Sequence, residues 1–130
     1  MNRAEALLAS DSFDVEERLS SIPFISQFDD DECRRAMIWL MTDSDIAVCD
    51  AAGEHLVLRN DLKAAEVLFI GIAVSHEQQR AWTLRAISNA WKAGKFELEP
   101  LTDAILSEGD FLTRQEVHDV LQWLGLDGPK

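Results

Sequence analysis

Residues 61–94 read DLKAAEVLFIGIAVSHEQQRAWTLRAISNAWKAG, and this stretch decides the fold class. Asp61 can offer its carboxylate to the free N–H groups of a first helical turn. Leu62, Ala65, Val67, Leu68, Ile70, Ile72 and Ala73 follow with almost no charge after Glu66, which predicts a helix buried on most sides. Ser75 and Gln78 have the spacing of a capping box, so a second helix is expected to begin there and run through Trp82, Ala86, Ile87, Ala90 and Trp91. Gly94 supplies the left-handed residue that stops it. The stretch is one helix-turn-helix unit.

Helix pairs that stack on one another must present equivalent apolar positions at equal intervals, and a shift of 34 residues finds such positions on both sides. In the first helix Phe28, Leu62 and Phe96 correspond, as do Cys33, Val67 and Leu101, then Ala36, Ile70 and Ala104, then Ile38, Ile72 and Leu106. In the second the sets are Val48, Trp82 and Glu116, then Ala52, Ala86 and Val120, then Leu56, Ala90 and Leu124. Only Glu116 breaks the apolar pattern. The expected fold is all-α, a short right-handed α-solenoid of about three helical hairpins over residues 28–60, 61–94 and 95–125, with residues 1–27 as an N-terminal helical cap.

The flanking punctuation agrees with this division. Asn2 can cap a helix through Ala9, and Asp11 or Ser12 can cap another that Pro23 is expected to end. Asp29, Asp30, Asp31 and Glu32 sit where the dipole of a following helix favours acids, and Asp43 or Ser44 is the expected cap after the next turn. Pro100 suits a first helical position, Gly109 closes that helix, and Thr113 with Glu116 gives another capping box. Gly125, Gly128 and Pro129 mark a frayed end.

The run Val48, Ala51, Ala52, Leu56 and Leu58, followed by Asp61 and an apolar helix, resembles HEAT-like repeat proteins over residues 28–124. Cys49 stands where such second helices commonly carry an arginine, and Trp82, Gly94, Phe96 and Pro100 echo tetratricopeptide repeats. Either resemblance implies a protein-binding scaffold and carries over no catalytic residue.

Charge narrows the partner class. Asp and Glu number 24 against 12 Lys and Arg, so phosphate would be repelled and nucleic acid is not expected as a ligand. Residues 1–65 hold 14 acids and 6 bases, the remainder 10 and 6, which points to the N-terminal half as the surface for a basic protein. The expected binding residues are Asp29, Asp30, Asp31, Glu32, Asp43, Asp45, Asp50 and Glu54, with Trp91. The four tryptophans otherwise read as core side chains, Trp91 being the one placed at an interface because its period equivalents are Val57 and Gly125.

No metal-ligand spacing, nucleophile pair or phosphate loop emerges, so neither catalysis nor a metal or cofactor is expected. Two cysteines make no disulfide framework, and the chain shows neither a secretory leader nor a membrane span, so the expected location is the cytoplasm. A compact, acidic inhibitor of this kind resembles bacterial immunity proteins, whose target would be a cationic toxin such as a nuclease. An adaptor or homodimer is the alternative. A cofactor-handling protein similar to HEAT-like lyases would need Cys49 as an exposed, reactive thiol.

Overall fold

The computed structural model describes residues 1–126, and among them the regular elements are eight α-helices with no strand. They are α1 (Arg3–Ser10), α2 (Val15–Ile25), α3 (Asp31–Met41), α4 (Ile46–Arg59), α5 (Leu62–Val74), α6 (Glu77–Lys92), α7 (Leu98–Glu108) and α8 (Phe111–Trp123). Six of them begin on Asn2, Asp14, Asp30, Asp45, Asp61 or Asp110, each accepting a backbone N–H of its first turn. Much of the acidity is therefore spent on starting helices.

Four caps fall beside the expected ones. Asp14, Asp45, His76 and Asp110 take the position, not Asp11 or Ser12, Asp43 or Ser44, Ser75, and Thr113. The rival side chains hold the preceding turn instead: Ser12 Oγ accepts from the Asp14 N–H, Asp43 Oδ1 from the Asp45 N–H, and Ser75 Oγ donates to Gly71 O. Thr113 gives its own N–H to Asp110, and the His76 N–H donates to Gln79 Oε1 at 3.0 Å.

Pro23 does not end α2, which continues to Ile25. A proline in the last turn removes one backbone bond, and the full burial of Ile22 and Ile25 outweighs that loss. Pro100 is the third residue of α7, not the first, and still lies in the turn whose N–H groups lack helical partners. Gly94 and Gly125 do adopt positive φ, at 73° and 79°. Gly128 and Pro129 lie outside the described residues.

Helix α5 is the centre of the packing. It touches α3, α4, α6, α7 and α8, and it buries Ala64, Ala65, Val67, Leu68, Phe69, Gly71 and Ile72. Consecutive helices pair throughout the α1/α2, α3/α4, α5/α6 and α7/α8 units. Between units, α1 touches α3, α3 touches α5 and α5 touches α7, while α2 touches α4 and α4 touches α6.

Polar ladders join the loops at both helix ends. Arg59 reaches Ser26 O at 2.9 Å, Asp29 at 2.8 Å and Asp61 at 2.9 Å, and Asn60 Oδ1 accepts from the Glu97 N–H at 2.8 Å. At the other end Arg18 pairs with Asp43 at 2.8 Å, and Gln79 Nε2 donates to the carbonyls of Thr42 and Asp43. Arg59→Lys keeps the charge but cannot serve three partners in two loops with one planar fork. We expect it to cost about 1 kcal/mol in urea unfolding; an unchanged midpoint would show the fork to be dispensable.

The caps set a spacing that the apolar pattern did not. From Asp30 to Asp61 and from Asp45 to His76 the step is 31 residues, not 34, whereas His76 to Asp110 is 34. Burial follows the caps: Met37 and Leu68, Met41 and Ile72, and Leu56 and Ile87 are each 31 apart and all buried.

Candidate functional site

The structure divides the expected binding residues into three groups. Asp29, Asp30, Glu32 and Asp43 are committed to arginines: Asp29 to Arg59, Asp30 and Glu32 to Arg3, and Asp43 to Arg18. Asp30 also accepts from the Cys33 N–H, and the Arg3 guanidinium holds its carboxyl well below the usual range. Asp45 caps α4 through the Ala47 and Val48 N–H groups. Among the described residues Asp31, Asp50 and Glu54 have no ion-pair partner, and Glu54 lines a hollow between α4 and α6, shared with Leu58 and Lys95.

The tryptophans also sort differently from the expectation of core packing. Trp91 is half-buried and packs on the core, and Trp82 is half-buried with Arg85 over its ring at 5.2 Å. Trp39 is 75 % exposed and Trp123 57 %. In α3 the buried residues Cys33, Met37, Leu40 and Met41 define one face, and Trp39 falls on the opposite one with Arg35 and Glu32 one and two turns before it. Those charged neighbours at i−7 and i−4 were the available signal.

Three hollows meet at Trp39. One, of about 500 Å³, lies between α3 and the α5–α6 junction and is walled by Ile38, Trp39 and Val74, with Arg35 and His76 at its edge. The second, of about 370 Å³, lies between the α1–α2 and α3–α4 turns and holds Asp11, Arg18 and Asp43 among serine and threonine hydroxyls. The third, of about 550 Å³, lies between α1 and α3 with Leu7, Asp11, Glu32 and Arg35. Arg18 is turned onto Asp43 and Ser12 O, so Asp11, which engages only its backbone N–H, is the unpaired carboxylate of both polar hollows.

No family model, curated protein or solved structure matches the chain.

Cys49 does not have the exposed, reactive thiol that a lyase-like role requires. It is fully buried, its Sγ lies 4.0 Å from Gln79 O, and burial, with Asp50 and Asp43 nearby, pushes the thiol up to about 11. Cys33 is also fully buried and its thiol is raised by burial. Both thiols are therefore expected to resist an aromatic disulfide reagent in the native protein and to react as urea unfolds it. Fast labelling of either under native conditions would contradict this environment. Among the described residues no group of three His, Cys, Asp or Glu side chains is placed to hold a metal ion, and no helix is long and apolar enough to cross a membrane.

Proposed function

We propose that this chain is a non-catalytic protein-binding module, a short stack of HEAT-like helical hairpins that binds and neutralises a basic protein, with a cationic toxin such as a nuclease as the partner class. The contacts of α1 with α3, α3 with α5 and α5 with α7, and of α2 with α4 and α4 with α6, support the stacked-hairpin reading for the first seven helices, while α8 packs chiefly on α5. The observation that carries the partner class is what internal pairing leaves over. In residues 1–65, five of the 14 acids and three of the 6 basic side chains are used in ion pairs, leaving nine carboxylates against Arg34, Arg35 and Lys63. Such a surface speeds and orients the approach of a cationic protein.

The test is capture of the tagged protein's partners from its host lysate at low and high salt, followed by reconstitution from purified components. A single basic protein that re-forms a stoichiometric complex, weakened by salt, is expected. Retention of only acidic proteins or of a salt-insensitive assembly would overturn the reading.

One observation favours a second reading, an adaptor or homodimer. Helix α8 exposes Phe111, Leu112 and Trp123 at 68 %, 74 % and 57 %. Light scattering decides it: a dimer that Leu112→Glu dissociates would support self-association through α8.

A further inference from the structure

We propose that the hollows around Trp39 take one segment of the protein partner, with a bulky apolar side chain in the hollow between α3 and the α5–α6 junction and an arginine or lysine against Asp11 across the indole. This rests on the reading that the partner is basic, and adds where and by which side chains it is held.

The apolar compartment is physically incomplete. Ile38, Trp39 and Val74 wall it, and Trp39 and Val74 remain 75 % and 56 % exposed, so an entering side chain would remove apolar surface from water on both sides. Arg35, which also lines it, disfavours a cation there. Beyond the indole the balance reverses. In the hollow between the α1–α2 and α3–α4 turns Asp11 and Asp43 outnumber Arg18, whereas in the hollow between α1 and α3 Glu32 is held by Arg3 and Asp11 stands with Arg35. Since Arg18 is held by Asp43 at 2.8 Å, Asp11 is left to receive an incoming cation, which the exposed indole face would also attract.

A second copy of the chain is the wrong occupant. It would bring a net charge of −12 to a surface of the same charge. A segment alternating cations with apolar residues has the required complementarity.

The probe is a fluorescein-labelled tetrapeptide amide of alternating arginine and leucine, with glutamate-for-arginine and serine-for-leucine versions as controls. Anisotropy gives affinity. Fluorine NMR of protein labelled with 5-fluorotryptophan, assigned through Trp39→Phe, gives location. Saturable movement of the Trp39 signal is expected, with binding about 30-fold weaker in Trp39→Ser, as for a central interface tryptophan, and about fivefold weaker in Asp11→Asn, as for one charge pair at a partly exposed rim. Asp103→Asn, on the exposed side of α7, should leave affinity unchanged. Both Trp39 and Asp11 face solvent, and unchanged circular dichroism will establish that their variants fold.

The proposal fails if the Trp39 signal stays in place, if the glutamate control binds equally well, or if Trp39→Ser binds like the parent. Failure here remains distinct from failure of the partner class: a basic partner captured equally by Trp39→Ser would refute this site alone, and absence of any basic partner would refute the broader reading.

Discussion

Arg80→Ala is expected to destabilise the protein by about 3 kcal/mol at pH 7, the lower end for stranding one member of a buried ion pair. Arg80 on α6 pairs with Glu116 Oε1 on α8, and its Nη1 also donates to Ile72 O at the end of α5 at 3.2 Å. The Glu116 side chain is 8 % exposed and that of Arg80 30 %, so the two deletions are not equivalent. Without Arg80, a carboxylate stays in the interior, and Oε1 already lacks any hydrogen-bond partner outside the ion pair. Without the carboxylate, Arg80 can turn to water while keeping its bond to Ile72. Glu116→Gln should therefore cost only about 1 kcal/mol, the usual worth of one net hydrogen bond.

The dependence on pH follows with a definite sign. Burial pushes the Glu116 carboxyl above its ordinary value, with Arg80 opposing the shift. A carboxyl raised in the folded state favours folding most when protonated, and that contribution is lost as pH rises through the folded value. Removing Arg80 removes the opposing pull, so the Arg80→Ala deficit should shrink as pH falls towards the carboxylate range, and the parent's should change less. Glu116→Gln should show no such dependence, and the double variant should recover much of the single Arg80→Ala loss. Urea unfolding at pH 7 and pH 5 measures all four proteins. Equal losses for the two single variants at pH 7, or an Arg80→Ala deficit indifferent to pH, would falsify this account.

Glu116 also shows what the sequence made legible and where it fell short. As the one charged member of its apolar set it was visible as an exception. Its partner was not visible, because Arg80 lies on another helix and pairing depends on how α6 and α8 meet across the end of α5. The helical class was readable from one-faced apolar spacing, and the starts at Asn2 and Asp61 and the stop at Gly94 from local chemistry that tertiary contacts leave alone. Where two or three capping candidates lay side by side, as from Asp43 to Asp45, the choice depended on which side chain first satisfied the turn.

The step of 34 against 31 has the same kind of cause. The two differ by three residues, nearly one helical turn, so a slip of that size returns apolar residues close to the same face. Matching hydrophobic positions therefore cannot separate the two registers, whereas N-caps occur once per helix and can. Counting acids located a charged half of the chain but could not show that Asp29 and Asp30 also hold its loops and helix starts together. Trp39 was hidden by the habit of placing tryptophan inside, although Glu32 and Arg35 on its own stripe gave its face away.

Gly71→Ala is expected to cost about 2 kcal/mol, within the range for inserting a methyl into a packed interior. Helix propensity alone predicts the opposite, since alanine is favoured over glycine in a helix interior by about 1 kcal/mol. Packing decides the sign. Gly71 lies in α5 where it meets α3, and a Cβ there would fall on Sδ and Cε of Met41. Methionine is flexible, but Met41 is fully buried among the residues of the core and has no open solvent into which its thioether can swing. If that contact is the cause, shortening the opposing side chain must relieve it. Met41→Ala alone should lose about 3 kcal/mol through the cavity it leaves, and adding Gly71→Ala to it should cost nothing further or regain part of the loss. A urea-unfolding cycle over the four proteins reads the coupling directly. Additive losses would place the strain of Gly71→Ala elsewhere, and a stabilised Gly71→Ala would mean that α3 and α5 yield enough for backbone propensity to win.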